Sequence, residues 1–92
     1  MDFEFTWDAR KAAANVRKHG VSFPEASTVF DDPLAITYPD TQHSTGEARH
    51  LTFGISLTGR ILVISHIETH SGLKIISARK ADRSERKIYE QG

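Results

Sequence analysis

The residues of this sequence that are best suited to chemistry are cations near the ends of predicted strands. The segment 74–87, KIISARKADRSERK, contains an apolar run that ends on the adjacent pair Arg79 and Lys80. A second apolar run begins at Arg60 and contains His66. Cationic side chains bind phosphate and stabilise the additional negative charge of a pentacoordinate transition state. The pattern therefore indicates a phosphodiester as the ligand.

Neither the nucleophile nor the proton transfer requires a metal ion. A histidine or lysine beside the cations can move a proton, and RNA supplies its own nucleophile, the 2′-hydroxyl group. The spacing His66-Ile-Glu-Thr-His70 superficially resembles a zinc motif, but the segment is β-branched and predicted to be a strand. On a strand those two histidines would be roughly 13 Å apart at ~3.3 Å per residue, too far for one ion to bridge. With no cysteine in the chain, we predict no metal site and no cofactor.

Capping signals and apolar periodicity predict the elements that would hold these residues. Asp8 is a suitable N-cap for a helix that Gly20 would end. Ser22 begins a second helix, and Asp82 with Glu85 has the form of a capping box for a third. Alternating apolar residues predict one strand before the helices and four strands between the second and third helices. The fold class is therefore α+β: an antiparallel sheet meander with two N-terminal helices after the first strand and a short C-terminal helix.

The predicted meander determines which cations can meet. Antiparallel order places His66 near Lys74, and Arg60 nearer to Arg79. Successive residues of a strand point to opposite faces, so Arg79 and Lys80 should not both face the same side of the sheet. We expect one of them to face a concave sheet surface and the other to face its edge.

The composition predicts a single folded domain, 1–92, with unevenly distributed charge. The 92 residues are 38% hydrophobic and 26% charged, as is ordinary for one soluble domain. Segment 25–47, which includes a predicted polar loop at 40–47, has five acidic residues and neither Lys nor Arg, whereas 74–92 has six Lys and Arg against three acidic residues. No apolar run approaches the ~20 residues that span a membrane, and the acidic start MDFEFTW is unlike a signal peptide. We predict a cytoplasmic protein that does not bind membranes.

Two blocks of the chain resemble a known protein family. WDARKAAANVRKHGVSFPEASTVFDDPLA at 7–35 and ISARKADRSERKIYE at 76–90 are similar to the BrnT toxins of bacterial type II toxin–antitoxin systems, and Arg60-Ile-Leu-Val followed by His66 fits the same pattern. The resemblance implies a RelE-like fold and a metal-independent ribonuclease activity that arrests translation. It also implies neutralisation by a BrnA-like antitoxin with a DNA-binding domain, so that operator DNA is bound only through the antitoxin.

The resemblance assigns roles to individual residues. Lys11, Lys18 and His19 stand in the block WD…K…KHG, and Arg79 and Lys80 stand in the block ISAR-R/K. Arg79 and Lys80 are predicted to hold phosphate and transition-state charge, and His66 or Lys11 to be the general base or acid. The residues predicted to bind RNA or phosphate are Arg60, His19, Lys18, Lys74 and Arg83. The chain departs from the family pattern at 82–84, Asp-Arg-Ser, where a Thr followed by basic residues is more usual.

Other interpretations remain open from the sequence. Lys18 and His19 lie in the last turn of the predicted first helix, where cations also suit the helix dipole. The chain could be a catalytically silent module that binds the antitoxin and acts only in regulation of its operon. It could also be a plain nucleic-acid-binding domain, which would bind a DNA duplex without a partner. Whether the RNA is cut on the ribosome, and which bases are preferred, is not encoded in a recognisable motif.

Overall fold

The order of helices and strands is the predicted one. The computed structural model describes residues 3–44 and 46–92, so the first two residues of MDFEFTW and Thr45 of the predicted loop lie outside the described residues. The elements are β1 (Glu4–Thr6), α1 (Ala9–His19), α2 (Phe23–Ser27), a 3₁₀ turn (Thr28–Asp31), β2 (Ile36–Pro39), β3 (Arg49–Ile55), β4 (Ile61–Thr69), β5 (Gly72–Lys80) and α3 (Arg83–Gln91). No helix in the described part of the chain is long and apolar enough to cross a membrane.

Local side-chain hydrogen bonds set the helix ends where the sequence predicts them. The Asp8 carboxylate accepts from the backbone N–H of Lys11 at 3.0 Å, and Ser22 caps α2 in the same way. Gly20 ends α1 with a φ of 68°, a left-handed conformation that costs glycine little. The predicted capping box of Asp82 and Glu85 is present at the start of α3.

The sheet is mixed, so the prediction of an antiparallel sheet is wrong for its first strand. The strand order is β1-β5-β4-β3-β2; the meander from β2 to β5 is antiparallel, but β1 pairs with β5 in parallel. Gly72 permits this pairing, because a Cβ atom there would lie 1.9 Å from the backbone oxygen of Glu4. Apolar periodicity reports which residues share a face but not the direction of a strand, and it could not reveal this pairing.

The two faces of the sheet are covered unequally. One face, here called the helix-covered face, packs against α1, α2 and the 3₁₀ turn. The largest fully buried side chains of this core are Phe23, Leu62, Ile64, Ile75, Val21 and Val29. The other face, here called the open face, carries Leu51, Phe53, Val63, Ser65, Ser77 and Arg79. Helix α3 covers one end of it, where Tyr89 packs against the buried cluster of Phe53, Val63 and Ala81. No helix of the described residues covers the rest of the open face.

The buried amide of Asn15 fixes α1 to β5 beside Arg79. Its Nδ2 donates to the backbone oxygens of Val21 and Ala78, at 2.8 Å each, and its Oδ1 accepts from the N–H of Ala78 at 3.1 Å. These three hydrogen bonds of the Asn15 amide are therefore all made with backbone groups. This side chain connects the N-terminal helix to the strand that carries the predicted catalytic arginine.

Candidate active site

A cavity of about 340 Å³ occupies the uncovered part of the open face. Its floor is formed by β3, β4 and β5, and its rim by the loop between β2 and β3. The lining residues are Asp40, Gln42, His43, Arg49, Leu51, Ser65, Ser77 and Arg79. Two guanidinium groups, two hydroxyl groups and an imidazole thus border one concavity. These groups suit an anion that accepts several hydrogen bonds, such as a phosphodiester.

Arg79 faces this cavity because successive side chains of β5 point to opposite faces of the sheet, and Arg79 points to the same face as Ser77. It lies opposite Val63 in the sheet, and its side chain is 42% exposed. Its two terminal nitrogens donate to the two carboxylate oxygens of Glu85, at 2.7 and 2.8 Å. These hydrogen bonds raise the pKa of Arg79, and they lower the pKa of Glu85. The ion pair therefore fixes the position of the guanidinium at the cavity, and it occupies the two nitrogens with which arginine binds phosphate.

Asp40 and His43 form a hydrogen-bonded pair on the rim. Nδ1 of His43 lies 3.0 Å from Oδ2 and 3.2 Å from Oδ1 of Asp40. The Asp40 side chain is 10% exposed, whereas that of His43 is 67% exposed. The nearly buried carboxylate of Asp40 thus hydrogen-bonds to an imidazole ring, that of His43, which is accessible to solvent. Neither residue was singled out from the sequence, since both fall in the segment predicted as a polar loop.

Arg49 was also missed, although its position follows the pattern of β3. It shares a side of the strand with Leu51 and Phe53, and that alternation is visible in the sequence RHLTFGI. The apolar residues on this side suggested a core face only. In the folded sheet the same side becomes the cavity floor, with Arg49 at its end.

His66 lies on the helix-covered face and does not approach the cavity. Its Nε2 is hydrogen-bonded to Oγ1 of Thr52 at 2.7 Å, and its ring meets Phe30 edge-on at 5.1 Å between centroids. Burial, with a smaller contribution from the nearby His50, lowers the pKa of His66 to about 4. Ser65, its neighbour in β4, is the residue that faces the cavity. The structure therefore does not bring the predicted general base or acid together with Arg79.

Arg60 is held by an ion pair on the helix side of the sheet. Its Nε donates to Oε2 of Glu25 at 3.0 Å, and its Nη2 donates to Oε1 of Glu25 and to the backbone oxygen of Gly20. The Arg60 hydrogen bond is the main reason that the pKa of Glu25 is lowered to about 2, assisted by the hydroxyls of Thr58 and Ser56. Arg60 thus connects the turn between β3 and β4 to α2.

The other predicted residues are spread around the fold. Lys11 and Lys18 are exposed on α1 and His19 is half-buried at its end, and α1 packs on β5. The remaining positions are an exposed Lys80 at the end of β5, a half-buried Lys74 near its start, and an exposed Arg83 in the first turn of α3. Of all the predicted site residues, each of which lies in the described part of the chain, Arg79 alone lines the cavity. The roles of the others in RNA binding stay predictions.

The described residues include no group of three His, Asp or Glu side chains placed to hold a metal ion. The cavity lining includes two guanidinium groups, which can offset the charge of an anion, and two hydroxyl groups, which can donate hydrogen bonds to it.

Comparisons with known proteins agree with this fold. Residues 7–85 match the family described as "Ribonuclease toxin, BrnT, of type II toxin-antitoxin system", and the chain belongs to this family. Among solved structures it is similar to the 1.1 Å crystal structure of the Brucella abortus ribonuclease toxin BrnT, with a TM-score of 0.68 and 24% sequence identity over 88% of this chain and 99% of that one. The two proteins share an α+β fold. A comparison with curated protein sequences gives no match.

Proposed function

We propose that this chain is a metal-independent endoribonuclease toxin and that the cavity on the open face is its active site. The observation that carries the proposal is the joint placement of Arg49 and Arg79 on one concave surface of a BrnT-family protein. Two guanidinium groups can hold the scissile phosphate and offset the charge that develops on its oxygens during attack. Ser65 and Ser77 can donate further hydrogen bonds from the cavity floor.

The chemistry needs no group beyond the chain and the RNA. The 2′-oxygen of the substrate attacks the adjacent phosphorus, and the bond from phosphorus to the 5′-oxygen of the next nucleotide breaks. The products are a 2′,3′-cyclic phosphate and a free 5′-hydroxyl group. The protein contributes orientation of the phosphate and stabilisation of the transition state, which are the large terms in phosphoryl transfer.

The biological setting proposed here follows from the family. RNA cleavage would inhibit translation in the cytoplasm, as in RelE-like toxins, and a BrnA-like antitoxin would neutralise the toxin and carry the contacts with operator DNA. The membership of a type II toxin–antitoxin family supports an antitoxin as the partner.

One observation favours a second function, that of a catalytically silent antitoxin-binding module. Both terminal nitrogens of Arg79 are already engaged by Glu85, so this pair of donors is not available to phosphate in the chain as folded. If Glu85 is not displaced by RNA, the chain would act only through the antitoxin in regulation of the operon.

Induced expression in bacteria with total RNA examined on a gel distinguishes the two functions. The nuclease function predicts growth arrest and RNA degradation with the wild type and neither with Arg79→Ala. Arg17→Ala removes an exposed cation from α1 and should behave as the wild type. The purified wild type should also cut RNA in the presence of EDTA. Intact RNA and normal growth with a folded wild type would contradict the nuclease function and leave the silent module.

A further inference from the structure

The Asp40–His43 pair has the geometry of a supported proton acceptor. Because Nδ1 of His43 faces the Asp40 carboxylate at 3.0 Å, in the neutral ring that nitrogen carries the proton and donates a hydrogen bond to the carboxylate. The other ring nitrogen, Nε2, then carries a lone pair, and no side chain of the described residues hydrogen-bonds to it. The ring belongs to the cavity lining and is 67% exposed, so a bound substrate can reach it. A carboxylate that fixes the tautomer of an imidazole in this way prepares it to accept a proton.

The loop that carries the pair is fixed to the sheet by hydrogen bonds at its base. The N–H of Asp40 donates to the backbone oxygen of Arg49 at 2.8 Å. The hydroxyl of Ser44 donates to the backbone oxygen of Asp40 at 2.6 Å and accepts from the N–H of Arg49 at 3.0 Å. The backbones of Asp40 and Arg49, which both line the cavity, are therefore linked directly and through the Ser44 hydroxyl. The imidazole and the proposed phosphate-binding arginine are thus carried by two segments that are hydrogen-bonded to each other.

The other described histidines are placed differently. His66 is buried on the helix-covered face with Nε2 engaged by Thr52, and His50 stacks on His66 with ring centroids 6.0 Å apart. His19 ends α1, and His70 is exposed in the turn between β4 and β5. Among the histidines, all of which lie in the described residues, His43 alone lines the cavity.

We propose that His43, oriented by Asp40, is the general base of the cleavage reaction. This inference rests on the proposed ribonuclease function. Nε2 of His43 removes the proton of the 2′-hydroxyl group as the 2′-oxygen forms its bond to phosphorus. The bond from phosphorus to the 5′-oxygen breaks, and the leaving oxygen takes a proton from water. The imidazolium then returns its proton to solvent, which restores the enzyme. Asp40 is a positioning residue, since it acts through His43.

The test compares His43→Ala with the wild type in two assays. Cleavage of an RNA oligonucleotide measures kcat, and binding of the same sequence with a 2′-deoxy residue at the cleaved position measures affinity without chemistry. We expect kcat to fall by about 10² to 10⁴-fold, the usual contribution of a general base, while affinity for the analogue changes less than about twofold. His70→Ala is the matched control and should keep the wild-type kcat.

Added imidazole separates a base from a structural residue. Free imidazole should restore part of the kcat of His43→Ala, and it should not accelerate the wild type. Asp40→Asn should lower kcat in the wild-type background but have little further effect on His43→Ala, because a positioning residue has nothing to position once the ring is gone.

Each outcome decides the inference. An unchanged kcat for His43→Ala, or a loss that imidazole does not restore in a folded variant, would overturn the role of His43 while the nuclease function stands. A wild type that binds the analogue but cuts no RNA would overturn the nuclease function itself.

Discussion

Arg79 and Glu85 form a two-pronged ion pair that joins the cavity to the first turn of α3. The same Glu85 carboxylate accepts from the N–H of Asp82 at 2.9 Å and so completes the capping box. None of the residues of α3 is buried. The other polar anchor of the helix is the hydroxyl of Tyr89, which donates to Asp32 at 2.6 Å; this contact raises the pKa of Tyr89 to about 12. A phosphate that binds Arg79 must therefore compete with the group that caps α3.

Glu85→Gln should strengthen binding of the 2′-deoxy analogue. Glutamine keeps the capping box but no longer neutralises Arg79, so the arginine becomes available to phosphate. We expect affinity to rise about 3- to 30-fold, with a steeper dependence on salt, as measured by fluorescence anisotropy over a series of salt concentrations. Glu90→Gln makes the same charge change on an exposed position of α3 and should have a smaller effect. Equal gains for the two variants would show that only net charge matters.

Arg49→Met and Arg60→Met should affect different properties of the protein. The first should weaken RNA binding, and the second should lower stability. Arg49 lines the cavity, so its loss should weaken RNA binding and reduce the salt slope by about one. Arg60 holds Glu25, whose side chain is 14% exposed, so its loss should lower the free energy of unfolding by about 2 to 4 kcal/mol. Urea denaturation and anisotropy measure the two quantities on the same samples. Strongly weakened RNA binding by a folded Arg60→Met would instead place Arg60 in the RNA site, as the sequence predicts.

His66 should make the protein less stable in mild acid. Its pKa is lowered from 6.5 to about 4 in the folded state, so the unfolded chain takes up the proton first as the pH falls. The stability conferred by the neutral ring is fully present above pH 6.5 and is lost as the pH drops towards 4. The loss should be about 2 kcal/mol between pH 6.5 and about pH 5, by 1.36 kcal/mol per unit.

Urea denaturation at several pH values checks this slope. His66→Gln should flatten it between pH 6.5 and about pH 5, whereas His70→Gln, at an exposed position, should retain it. The carboxylate of Glu25 has its pKa lowered to about 2, so the stability that it confers is lost only as the pH falls below its usual value of 4.5. It therefore does not change the slope in this range. A wild type with constant stability across the range would contradict the assignment of His66 as a buried neutral ring.

Asn15→Ala should destabilise the fold by about 3 kcal/mol. The substitution removes three hydrogen bonds and leaves backbone groups of Val21 and Ala78 buried without partners. The measurement is the free energy of unfolding in urea, with Arg17→Ala, on an exposed position of α1, as the control that should change by less than about 0.5 kcal/mol. A loss as small as that of the control would mean that water replaces the amide.

The helix caps could be predicted from the sequence, whereas the partner of Arg60 could not. The caps at Asp8, Ser22 and Asp82 rest on residues three apart, and their spacing alone defines them. The partner of Arg60 is Glu25, 35 residues away, and no periodicity connects the two. Without that partner Arg60 looked like a free cation in the sequence.

The candidate site shows a second limit of periodic patterns. Arg79 could be identified because a strand leads into it, and alternation correctly separated it from Lys80. His43 and Asp40 are only three residues apart, but they lie in a loop, where side-chain direction follows from backbone hydrogen bonds rather than from a repeat. Asp40 and His43 share a cavity with Arg79 only once β2, β3 and β5 have assembled into the sheet.

The hydrogen bonds of the Asn15 amide also bear on whether a strand of a second molecule can pair with the edge of β5. Strand β1 pairs with Gly72–Lys74 of β5, so that, within residues 3–44 and 46–92, no strand lies beside β5 on that side of the stretch that leads to Arg79. Asn15 satisfies both the N–H and the C=O of Ala78 there, as a residue of a sixth strand would. An unprotected strand edge is a template for aggregation. One side chain on a helix thus occupies the backbone groups next to Arg79 with which a strand of a second molecule could otherwise pair.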